Sequence, residues 1–331
     1  MKSYYSFIIP VYNRPEELTE LLESLCLQTY ENDFEVIVVE DGSNRPADDV
    51  VNKFQKSLTI TYFTKANSGP GLSRNYGMQR AKGSYFLILD SDVILPPDYL
   101  KEVDQQLQKT YTDFFGGPDA AHDSFSLLQK AINFSMTSLF TTGGIRGKKQ
   151  TKDFQPRSFN MGLSKKAFEA TGGFSEQHFG EDIELTFRLW KQGYQSQFIA
   201  SAYVYHKRRS TLKSFFKQVF NFGAARPILN TLYPSTSKLT YWFPTVFSVG
   251  MLAAMVFFIL GWKAPLLAIA LYLGLIFIDA LSKEKSLTIG LLSVITTLTQ
   301  FIAYGFGFLR SILRLKIMRQ TPEQTFPRMF R

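Results

Sequence analysis

Between Leu239 and Trp262 the chain carries no charged side chain. A run of that length and polarity forms a helix that can cross the hydrocarbon core of a bilayer. A second apolar run covers Ala264–Ile278 and is extended by Ala280 and Leu281. A third, Leu287–Leu309, is interrupted by Thr296, Thr297, Thr299 and Gln300. These runs exclude a chain that is soluble throughout, and the charges divide it at the same place. Residues 1–184 hold 25 acids and 19 bases, net −6, whereas residues 185–331 hold 3 acids and 18 bases, net +15. No acid occurs between Glu184 and Asp279. The overall +9 is therefore not the signature of a nucleic-acid binder. It is a basic belt beside apolar segments, as expected against anionic headgroups.

The single cysteine, Cys26, excludes a disulfide scaffold and fits a reducing compartment. The N-terminus has only the short apolar run Phe7–Val11, broken by Pro10, and lacks the apolar stretch of a signal peptide. The front half is expected in the cytosol, with the chain in the cell (inner) membrane. Two spans would then return the chain to the cytosol at Lys283-Glu284-Lys285. A third would export Arg310, Arg314, Lys316, Arg319, Arg328 and Arg331, against the positive-inside rule. Two spans are expected. The third segment is left open between a span, a re-entrant segment and an interfacial one.

Residues 1–200 alternate strand and helix signals. Tyr5–Val11, Phe34–Val39, Thr59–Thr64 and Tyr85–Leu89 read as strands, and the continuous apolar runs among them mark strands buried on both faces. Pro15–Gln28, Ala47–Gln55, Gly71–Arg80, Pro97–Lys109 and Ile183–Gln192 read as helices, with Asn13 as the cap of the first. The pattern predicts an open α/β sheet with ligands at the carboxyl ends of its strands.

Two acidic clusters fall at such ends. Asp90-Ser91-Asp92 aims two hard oxygen ligands at one point, suited to Mg²⁺ or Mn²⁺ and through it to a diphosphate; it also fits a solvated turn. Glu40-Asp41-Gly42-Ser43 could accept a hydrogen bond from a base, or form an ordinary Asp-Gly turn. Asn67–Gly77 joins a glycine-rich loop to a helix start with Arg74 on it, a phosphate cradle or a surface loop. Gly180-Glu181-Asp182 opens a helix. Its acids complement the macrodipole, or Asp182 acts as a general base.

Together these pieces resemble family 2 glycosyltransferases with the GT-A fold, over roughly residues 3–225. The resemblance rests on Phe7-Ile8-Ile9-Pro10-Val11-Tyr12-Asn13, the Glu40–Ser43 turn, the Asn67–Gly77 loop and Asp90-Ser91-Asp92. It continues through Asn160-Met161-Gly162, Gly172-Gly173-Phe174 and Gly180-Glu181-Asp182. It implies a Rossmann-like, mostly parallel sheet flanked by helices, and an inverting transfer from a UDP- or GDP-sugar. Pro10, Tyr12, Glu40, Asp41, Asn67, Arg74 and Asp90 would line the donor. Asp92 and Asp90 would hold Mn²⁺ or Mg²⁺, with His206 as a further ligand. Asp182, beside Glu181, would be the catalytic base, and Gly117 and Asn160 would lie toward the acceptor, a lipid-linked or other glycan. The family's processive synthases carry Q-x-x-R-W after the base. Here Gln218 is followed by Val219-Phe220-Asn221-Phe222, which favours single addition over processive synthesis. A catalytically silent nucleotide-sugar-binding membrane protein is the alternative from another class. The expected organisation is a catalytic domain over 1–205 and a basic amphipathic interfacial segment over 206–238. A transmembrane region of two to three helices follows over 239–309, then a basic tail over 310–331.

Overall fold

The computed structural model describes residues 4–143 and 154–330. In the loop Phe140–Phe159, Gly143-Gly144 and Lys148-Lys149 suggest mobility, and the choice of sugar and acceptor is expected to depend on such loops; its residues 144–153 lie outside the described residues. The chain forms two compact units. Met1–His122 with Lys148–Lys207 make the first, and Asp123–Gly147 with Arg208–Arg331 the second.

In chain order the first stretch runs β1 (Tyr5–Val11), α1 (Pro15–Cys26), β2 (Phe34–Asp41), α2 (Asp48–Phe54), β3 (Ile60–Lys65) and α3 (Pro70–Arg80). It continues with β4 (Tyr85–Leu89), β5 (Val93–Ile94), α4 (Tyr99–Lys109), β6 (Phe114–Gly116) and β7 (Asp119–Ala120). The short helices α5 (Leu127–Thr137) and α6 (Leu139–Thr142) belong to the second unit. The chain then supplies β8 (Asn160–Ser164), α7 (Lys165–Thr171), α8 (Glu181–Lys191), β9 (Ser196–Phe198) and β10 (Val204–His206) to the first.

Seven strands form one sheet in the order β3-β2-β1-β4-β8-β6-β9. β3, β2, β1 and β4 are mutually parallel, and β8 runs antiparallel to both β4 and β6. The apolar strands are buried on both faces because successive side chains alternate. Phe7, Ile9, Val36 and Val38 pack with Leu18, Leu21, Leu22 and Leu25 of α1 and with α4. Ile8, Ile37, Val39 and Ile88 pack on the other face with α3, α7 and α8. A second, three-stranded sheet has the order β5-β10-β7.

The helix boundaries differ from expectation by a few residues, as end fraying allows. One expectation is corrected. Asn13 does not cap α1: the cap position is Arg14, with no side-chain capping bond. Asn13 sits at φ 55°, a left-handed conformation that Asn tolerates. Its Oδ1 accepts from the backbone N–H of Asn44 (2.8 Å) and Arg45 (3.1 Å), tying the loop after β1 to the loop after β2.

In the second unit α9 (Leu212–Leu232), α10 (Phe243–Ile259), α11 (Ala264–Glu284) and α12 (Leu287–Ile312) follow one another. A π-helical turn, Leu313–Ile317, extends α12, and a one-turn helix α13 (Pro322–Thr325) closes the described chain. Among the described residues, three segments are long and apolar enough to cross a membrane: Leu239–Ile259, Ala264–Glu284 and Leu287–Ile317. The first two are 11% buried inside the protein and the third 39%. α5 starts at a Ser126–Gln129 capping box and packs Ile132 and Met136 against Phe215 and Val219 of α9.

Candidate active site

The parallel sheet delivers its functional side chains at the carboxyl ends of β2 and β4. Asp41 closes β2 and is buried. Its carboxylate accepts the backbone N–H groups of Ser68 and Gly69, both at 2.9 Å, and the Lys65 ammonium at 2.5 Å. Asn67 donates its amide to the Asp41 carbonyl at 2.8 Å. The loop that precedes α3 is thus built on Asp41. Gly69 in that loop sits at φ +88°, and a Cβ there would run into the His178 imidazole, so only glycine fits. Glu40 turns to the other side of β2. It accepts the N–H of Ala47 and the hydroxyl of Tyr62, both at 2.9 Å, and the Ser43 hydroxyl. Burial and the Glu40 carboxylate together push the Tyr62 hydroxyl well above its ordinary range.

Arg74, on α3, is 2% exposed yet charged. Its guanidinium bridges Asp90 Oδ1 at 2.5 Å and Glu181 Oε1 at 3.1 Å, and lies over the Phe174 ring at 5.1 Å. Burial works against that charge, and the two carboxylates outweigh it. The guanidinium therefore ties the end of β4 to the start of α8. Glu181 is buried, and desolvation with the neighbouring Asp182 charge pushes its carboxyl up to about 7, against the pull of Arg74.

Asp92 lies one turn beyond Asp90. The small sheet explains what faces it. β10 pairs antiparallel with β5, register His206 opposite Val93, and the Lys207 N–H donates to the Asp92 carbonyl at 2.9 Å. This brings the His206 Nε2 within 3.3 Å of Asp92 Oδ1, and the imidazole stacks on Phe159 at 4.4 Å. Arg14, the cap residue of α1, pairs with the other oxygen, Oδ2. Burial alone would raise the Asp92 carboxyl; His206 and Arg14 hold it well below the usual carboxylate range. Asp92 Oδ1 is buried and faces the His206 imidazole. One ligand atom each from Asp90, Asp92 and His206 lies within 4.8 Å of the others. Two carboxylates and an imidazole in this arrangement fit a divalent cation.

Asp182 stands in the first turn of α8 with its side chain 14% exposed. Oδ1 accepts the Ile183 N–H at 2.8 Å, and Oδ2 faces the Ser158 N–H at 3.4 Å and Arg157 at 3.8 Å. Glu181, next to it, points the opposite way, toward Arg74. The remaining expected residues fall into two groups. Pro10 is buried within β1, while Tyr12 beyond it is 49% exposed. Asn160 is fully buried: its amide donates to the Ala202 carbonyl at 2.8 Å and accepts the Tyr99 hydroxyl at 2.7 Å. Gly117 lies against that amide and the Ala202 carbonyl, with no room for a Cβ. The structure thus gathers Asp90, Asp92, His206, Arg74 and Glu181 and keeps Asn160 and Gly117 inside the sheet. Arg14, Phe159 and His178 were not anticipated. Arg14 had a signal, since it lies in the short loop after β1 and precedes a helix-starting proline. The other two come from distant loops and left none.

A family model described as Glycosyl transferase family 2 matches residues 6–172. The chondroitin synthase of Escherichia coli is 29% identical over 235 residues, covering 61% of this chain and 34% of that relative. The chain thus spans about a third of that relative's length. Among solved structures, the mannosyltransferase PcManGT of Pyrobaculum calidifontis, in complex with GDP-Man and Mn²⁺, aligns with a TM-score of 0.57 at 18% identity, covering 93% of this chain and 88% of that one. The TarS 1–349 structure of S. aureus with UDP-GlcNAc aligns at 0.51, also 18% identical, covering 92% and 90%. At these identities the likeness is one of fold, the GT-A type of α/β sheet. The family match covers half of the chain, from within β1 to past β8, and includes both acidic strand ends: this chain belongs to glycosyl transferase family 2.

Proposed function

We propose that the protein transfers a sugar, with inversion, from a nucleotide-sugar donor to a lipid-linked or other glycan acceptor at the cytosolic face of a membrane. The observation that carries this reading is the cluster of Asp90, Asp92 and His206, whose ligand atoms lie within 4.8 Å of one another beyond the carboxyl end of β4. The fold neighbours were solved with GDP-Man and Mn²⁺ and with UDP-GlcNAc, which supports a nucleotide-sugar donor.

The residues divide the work as follows. Tyr12, Asn67 and the loop held by Asp41 frame the nucleoside. Asp90, Asp92 and His206 would hold a divalent cation, whose charge would offset that of the departing diphosphate. Arg74 fixes Asp90 in place through a buried ion pair, and Glu181 anchors Arg74 from α8. Asp182, at the partly open start of α8, takes the proton of the acceptor hydroxyl as that oxygen bonds to the anomeric carbon and the nucleoside diphosphate leaves. The residues after Gln218 do not match Q-x-x-R-W, which supports single addition over processive synthesis. The basic, apolar second unit supports a lipid-linked acceptor.

The test is a thermal-shift screen of UDP- and GDP-sugars with and without Mn²⁺ on detergent-solubilised protein, followed by transfer assays. One donor is expected to raise Tm in the presence of metal. Asp182→Asn should keep that shift while transfer falls at least about 100-fold. Undiminished transfer by Asp182→Asn overturns the base assignment.

A further inference from the structure

Three segments of the second unit are long and apolar enough to span, yet their packing treats them differently. α10 and α11 are joined by the short connection Leu260–Lys263 and form a hairpin. Its closed end carries that connection. Its open end carries Trp242–Phe243 and Lys283-Glu284. In a bundle of three spans, α12 would leave the open end beside α11 and finish beside the closed end. It does not. Near its start, Gly290 lies against the ring of Phe277, in the last third of α11. Near its end, Phe308 meets Trp242 with ring centroids 4.9 Å apart, and Gly305 lies against Pro244 and Thr245. In between, Phe301 packs on Phe243 and Phe247 at 5.4 and 5.0 Å. Both ends of α12 are thus fastened to the open end of the hairpin. The closed end is bare, with Ile259 82%, Leu260 69% and Trp262 70% exposed.

The faces of α12 fit a helix lying across rather than through a bilayer. One face is small and polar, and it is buried within the protein: Ser293, Thr296, Thr297 and Ser311 are inaccessible or nearly so. The Thr296 hydroxyl donates to the Ala131 carbonyl of α5 at 3.1 Å, and Gly307 lies against the backbone of α9 at Phe220 and Ala224. The opposite face is apolar and open, with Leu287, Leu291, Ile295 and Phe306 each 46–62% exposed. Arg310, Arg314, Lys316, Arg319 and Arg328 follow in the chain. With its π turn the segment has 31 residues, about 46 Å of helix, some 16 Å more than the apolar core needs.

We propose that only the α10–α11 hairpin crosses the bilayer and that α12 is an interfacial helix. Its partner is the lipid surface. The Leu287–Leu291–Ile295–Phe306 stripe sinks into the acyl boundary, the Arg-rich end meets anionic headgroups, and α5 and α9 lie on its polar face. The residues after Arg310 then stay on the side of the membrane that holds Lys238 and Lys283–Lys285. That removes the conflict between three apolar runs and the positive-inside rule. The inference rests on the membrane attachment proposed above.

The test is side-specific labelling in a bacterial host, in a Cys26→Ser background, with an impermeant maleimide on intact spheroplasts and on inverted vesicles. Single cysteines go in at Lys238→Cys, Lys263→Cys and Arg328→Cys, all exposed positions. Lys263→Cys should label only on spheroplasts, and Lys238→Cys and Arg328→Cys only on inverted vesicles. Labelling of Arg328→Cys from the same side as Lys263→Cys overturns the interfacial helix and leaves membrane attachment standing. Failure of Lys263→Cys to label from outside, with release of the protein by alkaline carbonate, overturns the attachment itself. A green fluorescent protein joined after Phe330 gives the same answer without substitution: fluorescence is expected, and a dark fusion with an active alkaline phosphatase fusion at that point overturns the proposal.

Discussion

Two strands of the sheet, β2 and β4, end in acids, and in sequence the two ends look alike. In the structure they are opposites. Asp41 is saturated by two backbone N–H groups and an ammonium. Asp92 is met by side chains instead, the Arg14 guanidinium on one oxygen and the His206 imidazole at 3.3 Å from the other. The first arrangement is complete and holds a loop in shape. The second rests on a guanidinium and an imidazole, and with Asp90 and His206 it forms a donor set that a divalent cation could use. A carboxylate's role is therefore read from the kind of partner around it, backbone donors or metal-ligating side chains, more than from its place at a strand end.

That contrast can be broken by experiment. Asp92→Ala should lower metal-dependent transfer at least about 100-fold while leaving Tm within a few degrees, because Arg14 beside it can reach solvent. A large loss of stability with little loss of activity would reverse the assignment of the two strand ends. Asp41→Ala should do the opposite. Removing a buried acceptor of three donors is expected to cost about 3 kcal/mol in denaturant unfolding, with donor affinity falling because the Asn67–Gly69 loop loosens. His206→Gln should raise the Mn²⁺ concentration for half-maximal activity roughly 10-fold, measured by titration, with less effect on the rate at saturating metal. The smallest effect concerns Glu181. Its folded carboxyl is raised to about 7, so the folded state holds the proton more tightly than the unfolded chain. That contribution to stability is full below the ordinary Glu range and is lost as pH rises through about 7. Glu181→Gln should flatten the fall in stability between pH 5 and pH 8, followed by Tm; an unchanged slope would place the titrating group elsewhere.

Much of the fold was legible because its strands are buried on both faces and read as continuous apolar runs, such as Phe34–Val39 and Tyr85–Leu89. The acidic ends were legible because they interrupt those runs. What could not be read was which acids are already satisfied. Asp41 is satisfied by N–H groups of Ser68 and Gly69, and a backbone donor carries no residue signature. His206 was a weak expectation because its approach to Asp92 depends on β10 pairing with β5, strands of three and two residues with no periodicity to detect. Arg14 was hidden behind the stronger signal of Asn13, whose side chain is used between two loops instead of at a helix cap.

The helices α5 and α6 interrupt the first unit in sequence but pack within the second. Ile132 and Met136 are buried against α9, and Phe134 against Ile276 and Ala280 of α11. A protein cut after Lys207 to obtain a soluble enzyme would therefore keep an amphipathic helix whose apolar face has lost its partners. Such a fragment is expected to aggregate or to cling to detergent. Shortening the 123–143 excursion in the same step, with a flexible replacement, would remove the orphaned surface together with the helices that cover it.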